Sequence, residues 1–382
     1  MRRIAGALAA GGHRPDAFGA AVLRRLWRAD RALLAGIAAY RRHPYRRVLA
    51  DPPTIWSEGG SRLLDFSPPP SSSAAGTPGG AAEENGRLAV LFVPSLVNRA
   101  HVLDLAPGRS LLRFLARQDG LRPLLLDWGW PGEAERGFTL TDYVAGRLER
   151  ALGAVGGGGG RSGGGAPVVL VGYCMGGLLA LAAALRRPDR VRAVGLLATP
   201  WDFHAADAVA PQARAMAALL PGLEPVLEAH GALPVDLIQM LFAGLDPWSI
   251  AAKFRAFARL DQDSERAALF VALEDWLNDG VPLAAPVARE CLAGWYGRND
   301  PGRLAWRVAG AVVDPAAWEG PAFVAVPHRD RIVPPASARA LAARLGRPPV
   351  LHEAAAGHIG MAAGSTAEHA LWRPLLEWLR GL

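Results

Sequence analysis

From residue 88 onward the chain alternates short apolar runs with longer amphipathic ones. Leu88 to Val93, Leu121 to Asp127, Val168 to Val171, Val191 to Ala198, Phe323 to Val326 and Val350 to His352 have the length and aliphatic character of strands buried on both faces. Ser110 to Gln118, Leu140 to Leu152, Leu178 to Leu185 and Ala336 to Leu345 carry helical patterns between them. This alternation predicts a mostly parallel sheet covered by helices on both sides. From Trp201 to Ala316 it stops. That interval is long, helical in character and rich in aromatics, among them Trp248, Phe257, Trp276, Trp295 and Tyr296. It is expected to form an inserted cap, its aromatics packing a core, walling an apolar channel, or both.

Ahead of the alternating part, apolar Val22, Leu23, Leu26, Trp27, Leu33, Leu34 and Ile37 recur at helical spacing against Arg24, Arg25, Arg28 and Arg31. The expectation is a basic amphipathic helix packed on the core; docking to an acidic partner, a granule surface or a second subunit is the other reading. Pro44 ends it. A Pro/Ser/Gly-rich stretch then separates this part from the rest, and a second glycine run, Gly156 to Gly165, precedes the Val168 strand. The division expected is an N-terminal helical extension (residues 1–66), a flexible linker (67–87), an α/β core (88–200 and 317–382) and a helical cap (201–316).

Composition narrows the class. A chain of 382 residues that is 51% hydrophobic, with 12 Trp, builds a sizeable core, while 44 Gly and 31 Pro mark irregular segments. The net charge of +7 is almost wholly arginine, Lys253 being the only lysine, and without interleaved aromatic platforms it predicts a solvated surface and no nucleic-acid partner. Two cysteines in unlike contexts, Cys174 and Cys291, suit a reducing compartment, the cytoplasm. The N-terminal apolar run is short and made mostly of Ala and Gly, which argues against a secretion signal. Ala166 to Leu185 is uncharged over the length of a membrane span, but three glycines at its middle and the exit Arg186-Arg-Pro-Asp189 favour a buried strand and helix.

The candidate chemistry lies in that stretch. In Gly172-Tyr-Cys-Met-Gly-Gly177, glycines bracket a thiol between a strand and a helix start, the pattern of a nucleophile elbow. The helix start offers its positive dipole end and free N–H groups to an anion, including the Met175 N–H for an oxyanion. A buried, inert Cys174 is the bland reading. A thiol nucleophile needs an imidazole base, and the base a carboxylate. On an α/β-hydrolase sheet these follow in the order nucleophile, acid, histidine, each after a strand. Asp330 follows Phe323-Val-Ala-Val-Pro327, and His358 follows the Val350 strand within Gly357-His-Ile-Gly360. Asp202 and His352 are the substitutes, and Asp330 could instead pair with Arg329 or Arg331.

Several blocks resemble the polyhydroxyalkanoate synthases: Val93-Pro-Ser-Leu-Val-Asn-Arg99, Leu103-Asp-Leu105, Leu126-Asp-Trp-Gly129, Leu140-Thr-Asp-Tyr143, the Cys174 elbow, Ala198-Thr-Pro-Trp-Asp-Phe203, Asp330-Arg-Ile-Val-Pro334 and Gly357-His-Ile-Gly360. The resemblance runs from about Leu88 to the C-terminus and is most like the short, two-subunit synthases. It implies an α/β-hydrolase fold with a helical cap inserted after the sixth strand, and Cys174, Asp330 and His358 as catalytic triad. It further implies an oxyanion site at the N–H groups of Met175 and of Val97 or Leu96. The substrate would be a 3-hydroxyacyl-coenzyme A, with no cofactor and no metal. A polymer granule, a second synthase subunit and a homodimer are the partners implied. The glycine-rich segments and the Arg-rich helix are departures from the family pattern. A cysteine-dependent thioesterase or polyester depolymerase on the same fold, and a non-catalytic granule scaffold, are the competing readings.

Overall fold

The computed structural model describes residues 2–68, 86–155, 166–205 and 210–382, so most of the expected linker and the glycine run at 156–165 lie outside the described residues. Eight strands form one sheet: β1 (Thr54–Glu58), β2 (Ser61–Asp65), β3 (Leu88–Val93), β4 (Leu121–Asp127), β5 (Val168–Tyr173), β6 (Val191–Leu197), β7 (Ala322–Pro327) and β8 (Val350–Ala354). Their spatial order is β1-β2-β4-β3-β5-β6-β7-β8. The β1–β2 and β2–β4 ladders are antiparallel and every other ladder is parallel. All six apolar runs predicted as strands are strands.

The main departure is at the N-terminal edge. Residues 1–66 were expected to be a helical extension, yet 54–65 add a hairpin to the sheet. Gly59, at a φ of +54°, turns it, and a side chain there would collide with the Glu135 carboxylate. Leu63 and Leu64 are buried, and Arg62 pairs with Asp127 across the β2–β4 ladder at 2.8 Å. The hairpin thus closes the sheet edge by charge and burial together.

Cα packing divides the chain into two compact units, one of Met1–Arg46 with Asp246–Glu274 and one of Arg47–Leu245 with Asp275–Leu382. This cuts through the expected cap. In the first unit α1 (Arg2–Ala10) precedes α2 (Pro15–Arg42), whose second half packs on Pro247–Phe257. Gly36 allows the approach, since a Cβ there would strike the Phe254 carbonyl oxygen. Tyr40 meets Phe254 edge-on at 5.8 Å, and the His43 Nε2 lies 2.9 Å from the Gln262 carbonyl. The first half of α2 differs from expectation: Leu23, Leu26 and Trp27 are 68, 55 and 67% exposed.

In the second unit the fully buried β5 and β7 are each paired on both sides, β5 in the middle of the sheet and β7 next to its β8 edge, with α3 (Met175–Arg186) packed on β5 and β6. The helical pattern at Leu140 to Leu152 becomes a π-helical segment, Asp142–Leu148, continued by Glu149–Val155. Among the described residues no helix is long and apolar enough to cross a membrane. Parallel β5, β6, β7 and β8 end on the same side, which brings the loops after β5, β7 and β8 into one neighbourhood.

Candidate active site

Cys174 occupies a conformation that side chains rarely adopt, φ +56° and ψ −129°, between β5 and the start of α3. Its neighbours explain how the turn is held. A Cβ at Gly172 would collide with the backbone of Gly176 and Gly177, at Gly176 with the Val93 and Pro94 carbonyls, and at Gly177 with Thr199. The Cys174 N–H donates to the Leu197 oxygen at 2.8 Å, tying the turn to the end of β6. A strained backbone locked by close packing aims one side chain out of the sheet end.

The loops after β7 and β8 bring Asp330 and His358 together. His358 Nδ1 lies 2.6 Å from Asp330 Oδ2, and both residues are buried. The other carboxylate oxygen, Oδ1, accepts the N–H groups of Ile332 and Val333 at 2.8 Å each. Asp330 is therefore held by His358 and by backbone N–H groups. The Tyr173 hydroxyl donates to the His358 carbonyl at 3.2 Å, and its ring lies 5.1 Å from the imidazole. Burial works against a charged imidazole here. The charges of Cys174 and Asp330, and its hydrogen bonds to both, outweigh burial and push the His358 pKa up to about 10. The three groups form one coupled unit.

The substitutes are engaged elsewhere. His352 places Nε2 2.7 Å from the Ala370 oxygen and stacks on Phe323. Asp202 Oδ1 takes the Asn299 amide at 2.7 Å and the His204 N–H at 2.8 Å.

Cys174 opens into a cavity of about 140 Å³. Ser95, Val97 and Met175 line it beside the thiol, and Phe203, Leu233, Ile238, Phe242, Leu283 and Trp295 make much of the apolar wall. Of the two expected oxyanion donors from the loop after β3, Val97 belongs to this wall, whereas Leu96 packs into the core. The Val97 N–H is 3.3 Å from Ser95 Oγ. The loop is braced by Trp128, whose indole N–H donates to Pro94 O at 3.0 Å, and by Trp276, which donates to Arg99 O at 2.8 Å. Sequence reasoning missed these braces, the Tyr173 contact and the presence of Cys291 in the cavity wall. Only the Asp-Trp-Gly and Gly-Tyr-Cys blocks hinted at the first two. Among the described residues no group of three or more His, Cys, Asp or Glu is arranged to hold a metal ion.

Strand order and elbow together define an α/β-hydrolase, and the α/β hydrolase fold family matches residues 89–224. A solved carboxylesterase structure from Nitrososphaera gargenis shares the fold, with a TM-score of 0.50 at 10% identity over 86% of this chain and 100% of that one. Within that superfamily the chain is similar to poly(3-hydroxyalkanoate) polymerases. It is 28% identical over 293 residues to the poly(3-hydroxyalkanoate) polymerase subunit PhaC of Haloferax mediterranei, covering 76% of this chain and 58% of that protein. To the subunits PhaC of Allochromatium vinosum and Synechocystis sp. it is 28 and 27% identical, covering 78 and 76% of this chain and 82 and 77% of those proteins. The chain thus spans little more than half the Haloferax protein's length.

Proposed function

We propose that this chain polymerises 3-hydroxyacyl-coenzyme A into a polyester through an acyl-cysteine at Cys174. The observation that carries the reading is the 2.6 Å His358–Asp330 contact coupled to a thiol on a strained elbow, on a chain whose relatives are named polymerases.

Cys174 Sγ attacks the thioester carbonyl, and the oxyanion is held by the Met175 N–H and by the Val97 N–H, which exchanges its long bond to Ser95 Oγ for the oxyanion. The Cys174 thiol proton passes to His358, the carbon–sulfur bond to coenzyme A breaks as the new one forms, and the departing thiolate takes that proton from His358. Exchange of thiol for thiol is close to balanced, so the acyl group stays activated. The 3-hydroxyl of another unit then attacks. His358 takes its proton, an oxoester bond forms and the Cys174 sulfur leaves. Asp330 holds His358 in the tautomer that carries hydrogen on Nδ1 and stabilises the imidazolium. The apolar cavity wall supports transfer to an alcohol over transfer to water. Coenzyme A enters as part of the substrate, and the scheme draws on no cofactor.

The same reading makes the growing polymer granule, within the cytoplasm, the chain's working surface, with a second synthase subunit and a second copy of this chain as partners. Mass spectrometry of the protein after brief exposure to 3-hydroxybutyryl-coenzyme A tests the chemistry. Adducts of increasing length on Cys174 are expected. Free 3-hydroxybutyrate with no adduct series would make the chain a hydrolase instead.

A further inference from the structure

We infer that Asp202 is the residue that recognises the 3-hydroxyl of the acyl group, a specificity-determining carboxylate in the wall of the Cys174 cavity. The inference rests on the acyl-cysteine reading and deepens it.

The cavity wall is mostly aliphatic and aromatic, and among its described lining residues only Asp202 and Arg331 are charged. Asp202 is partly buried, and a carboxylate beside such a wall is held there by polar partners. Asp202 lies in the turn just after β6, the strand whose last residue accepts the Cys174 N–H, so thiol and carboxylate rise from adjacent strand ends.

Described residues brace that turn at several points. Asn299 sits in the left-handed region at φ +57°, 7% exposed, and its amide joins two neighbours, donating to Asp202 Oδ1 and accepting the Phe203 N–H at 2.9 Å. His204 Nε2 lies 2.9 Å from the Tyr296 oxygen, and the Trp201 N–H donates to Ser337 Oγ at 3.0 Å. Both braces of the Asp202 carboxylate go to one oxygen. Oδ2 accepts no hydrogen bond from any described residue.

A positioned acceptor oxygen that no described residue uses, in an apolar cavity, suits one kind of group: a lone hydroxyl donor on an otherwise aliphatic chain. In a 3-hydroxyacyl thioester that group is two carbons from the carbonyl that Cys174 attacks. The alternative, that Asp202 only braces the turn, predicts equal losses for every acyl chain.

The test is single-turnover acylation of Cys174, read by coenzyme A release and intact mass, with butyryl-coenzyme A and each enantiomer of 3-hydroxybutyryl-coenzyme A. The wild type is expected to favour one hydroxylated enantiomer over the plain acyl chain by about 10–100-fold, the factor carried by one hydrogen bond to a charged acceptor. Asp202→Ala should shrink that ratio, and the preference between enantiomers, at least tenfold. Asp202→Asn, which keeps shape and an acceptor oxygen but not the charge, should shrink it less. Ratios in both variants within about twofold of wild type overturn the inference, as does a wild type with no preference. If wild-type Cys174 takes up none of the thioesters, the acyl-cysteine reading itself falls; if it is acylated and the ratios do not move, only the role of Asp202 falls.

Discussion

Two thiols face the same cavity, and their surroundings could hardly differ more. Cys174 stands at a strained strand end, half-buried, hydrogen-bonded to an imidazole that a carboxylate holds from behind. Cys291 lies inside the π-helical segment Glu290–Arg298, 8% exposed, where burial first and the Glu290 carboxylate second push its thiol far above the ordinary range. A place in the wall does not make a nucleophile. What separates the two is the imidazole beside the Cys174 sulfur, held in turn by Asp330, and the helix start that follows Cys174.

The contrast is broken most directly by deleting each thiol. Cys174→Ala should lower coenzyme A release from 3-hydroxybutyryl-coenzyme A by at least about 10³-fold, the scale seen when a triad nucleophile is removed. Cys291→Ala should stay within a few-fold of wild type. Equal losses would mean that the two sulfurs work together and that the environments described above do not decide reactivity.

Removing what lies behind the imidazole sharpens it next. Asp330→Asn leaves the shape but frees His358 to hold its proton on the wrong nitrogen, so turnover should fall about 10²–10⁴-fold with the fold intact. It also removes one of the charges that raise His358, so the imidazole should titrate lower than in the wild type, as followed by proton NMR of the ring. An unchanged titration with lost activity would show that Cys174 alone sustains the shift.

The same coupling has a stability consequence. The folded pKa of about 10 lies above the ordinary histidine value of about 6.5, so the native state binds this proton more tightly than the unfolded chain. That stabilisation is fully present below about pH 6.5 and is lost as pH rises through about 10. Each pH unit of that window is worth at most about 1.4 kcal/mol. Urea unfolding of wild type against His358→Asn should therefore show a gap that narrows from neutral to strongly alkaline pH, and Cys174→Ala should close part of it. Cys291→Ala should leave the pH dependence between about pH 6.5 and the ordinary thiol value of about 8.5 unchanged, and alter it only above that value, where the unfolded thiol ionises and the buried one keeps its proton.

Gly176→Ala tests the rigidity of the Cys174 side. The added methyl would meet the Val93 and Pro94 carbonyls, backbone atoms that cannot turn aside, and should destabilise by about 1–3 kcal/mol while displacing the thiol. An active, fully stable variant would show that the elbow is looser than its packing implies.

How much of this was visible in the sequence depended on whether the signal was local. Val168 to Val171 and Phe323 to Val326 are continuous apolar runs ending in turns, and buried parallel strands need nothing else to be recognised. The elbow is legible as a local motif, with Gly172 required by contacts inside the turn, although Gly176 and Gly177 answer to Val93, Pro94 and Thr199 at the ends of neighbouring strands. The β1–β2 hairpin escaped because it is an edge: short, partly exposed, and held by Arg62–Asp127 and Leu63, whose partners lie far along the chain. The cap boundary escaped for a related reason, since Gly36 joins residues 246–274 to the N-terminal helix through a backbone contact that no periodicity records. Asn299 is the clearest case: an asparagine in an unremarkable Arg-Asn-Asp context becomes a bridge only once Asp202 and Phe203 are folded against it.

The smallest expected effect returns to the second thiol. Cys291→Ser replaces a weakly polar sulfur with a hydroxyl of similar shape at a buried position in the apolar wall. A hydroxyl there demands a partner that the sulfur does not, so the change should cost about 1–3 kcal/mol, more than Cys291→Ala if the hydroxyl finds none. Neither change touches the His358–Asp330 pair, and acylation of Cys174 should proceed at close to the wild-type rate in both. A lowered urea midpoint with near-normal coenzyme A release is thus the expected signature of a thiol that only packs. The reverse pattern, normal stability with turnover lost to serine and to alanine alike, would place Cys291 in the reaction and leave the difference between the two sulfurs without a chemical meaning.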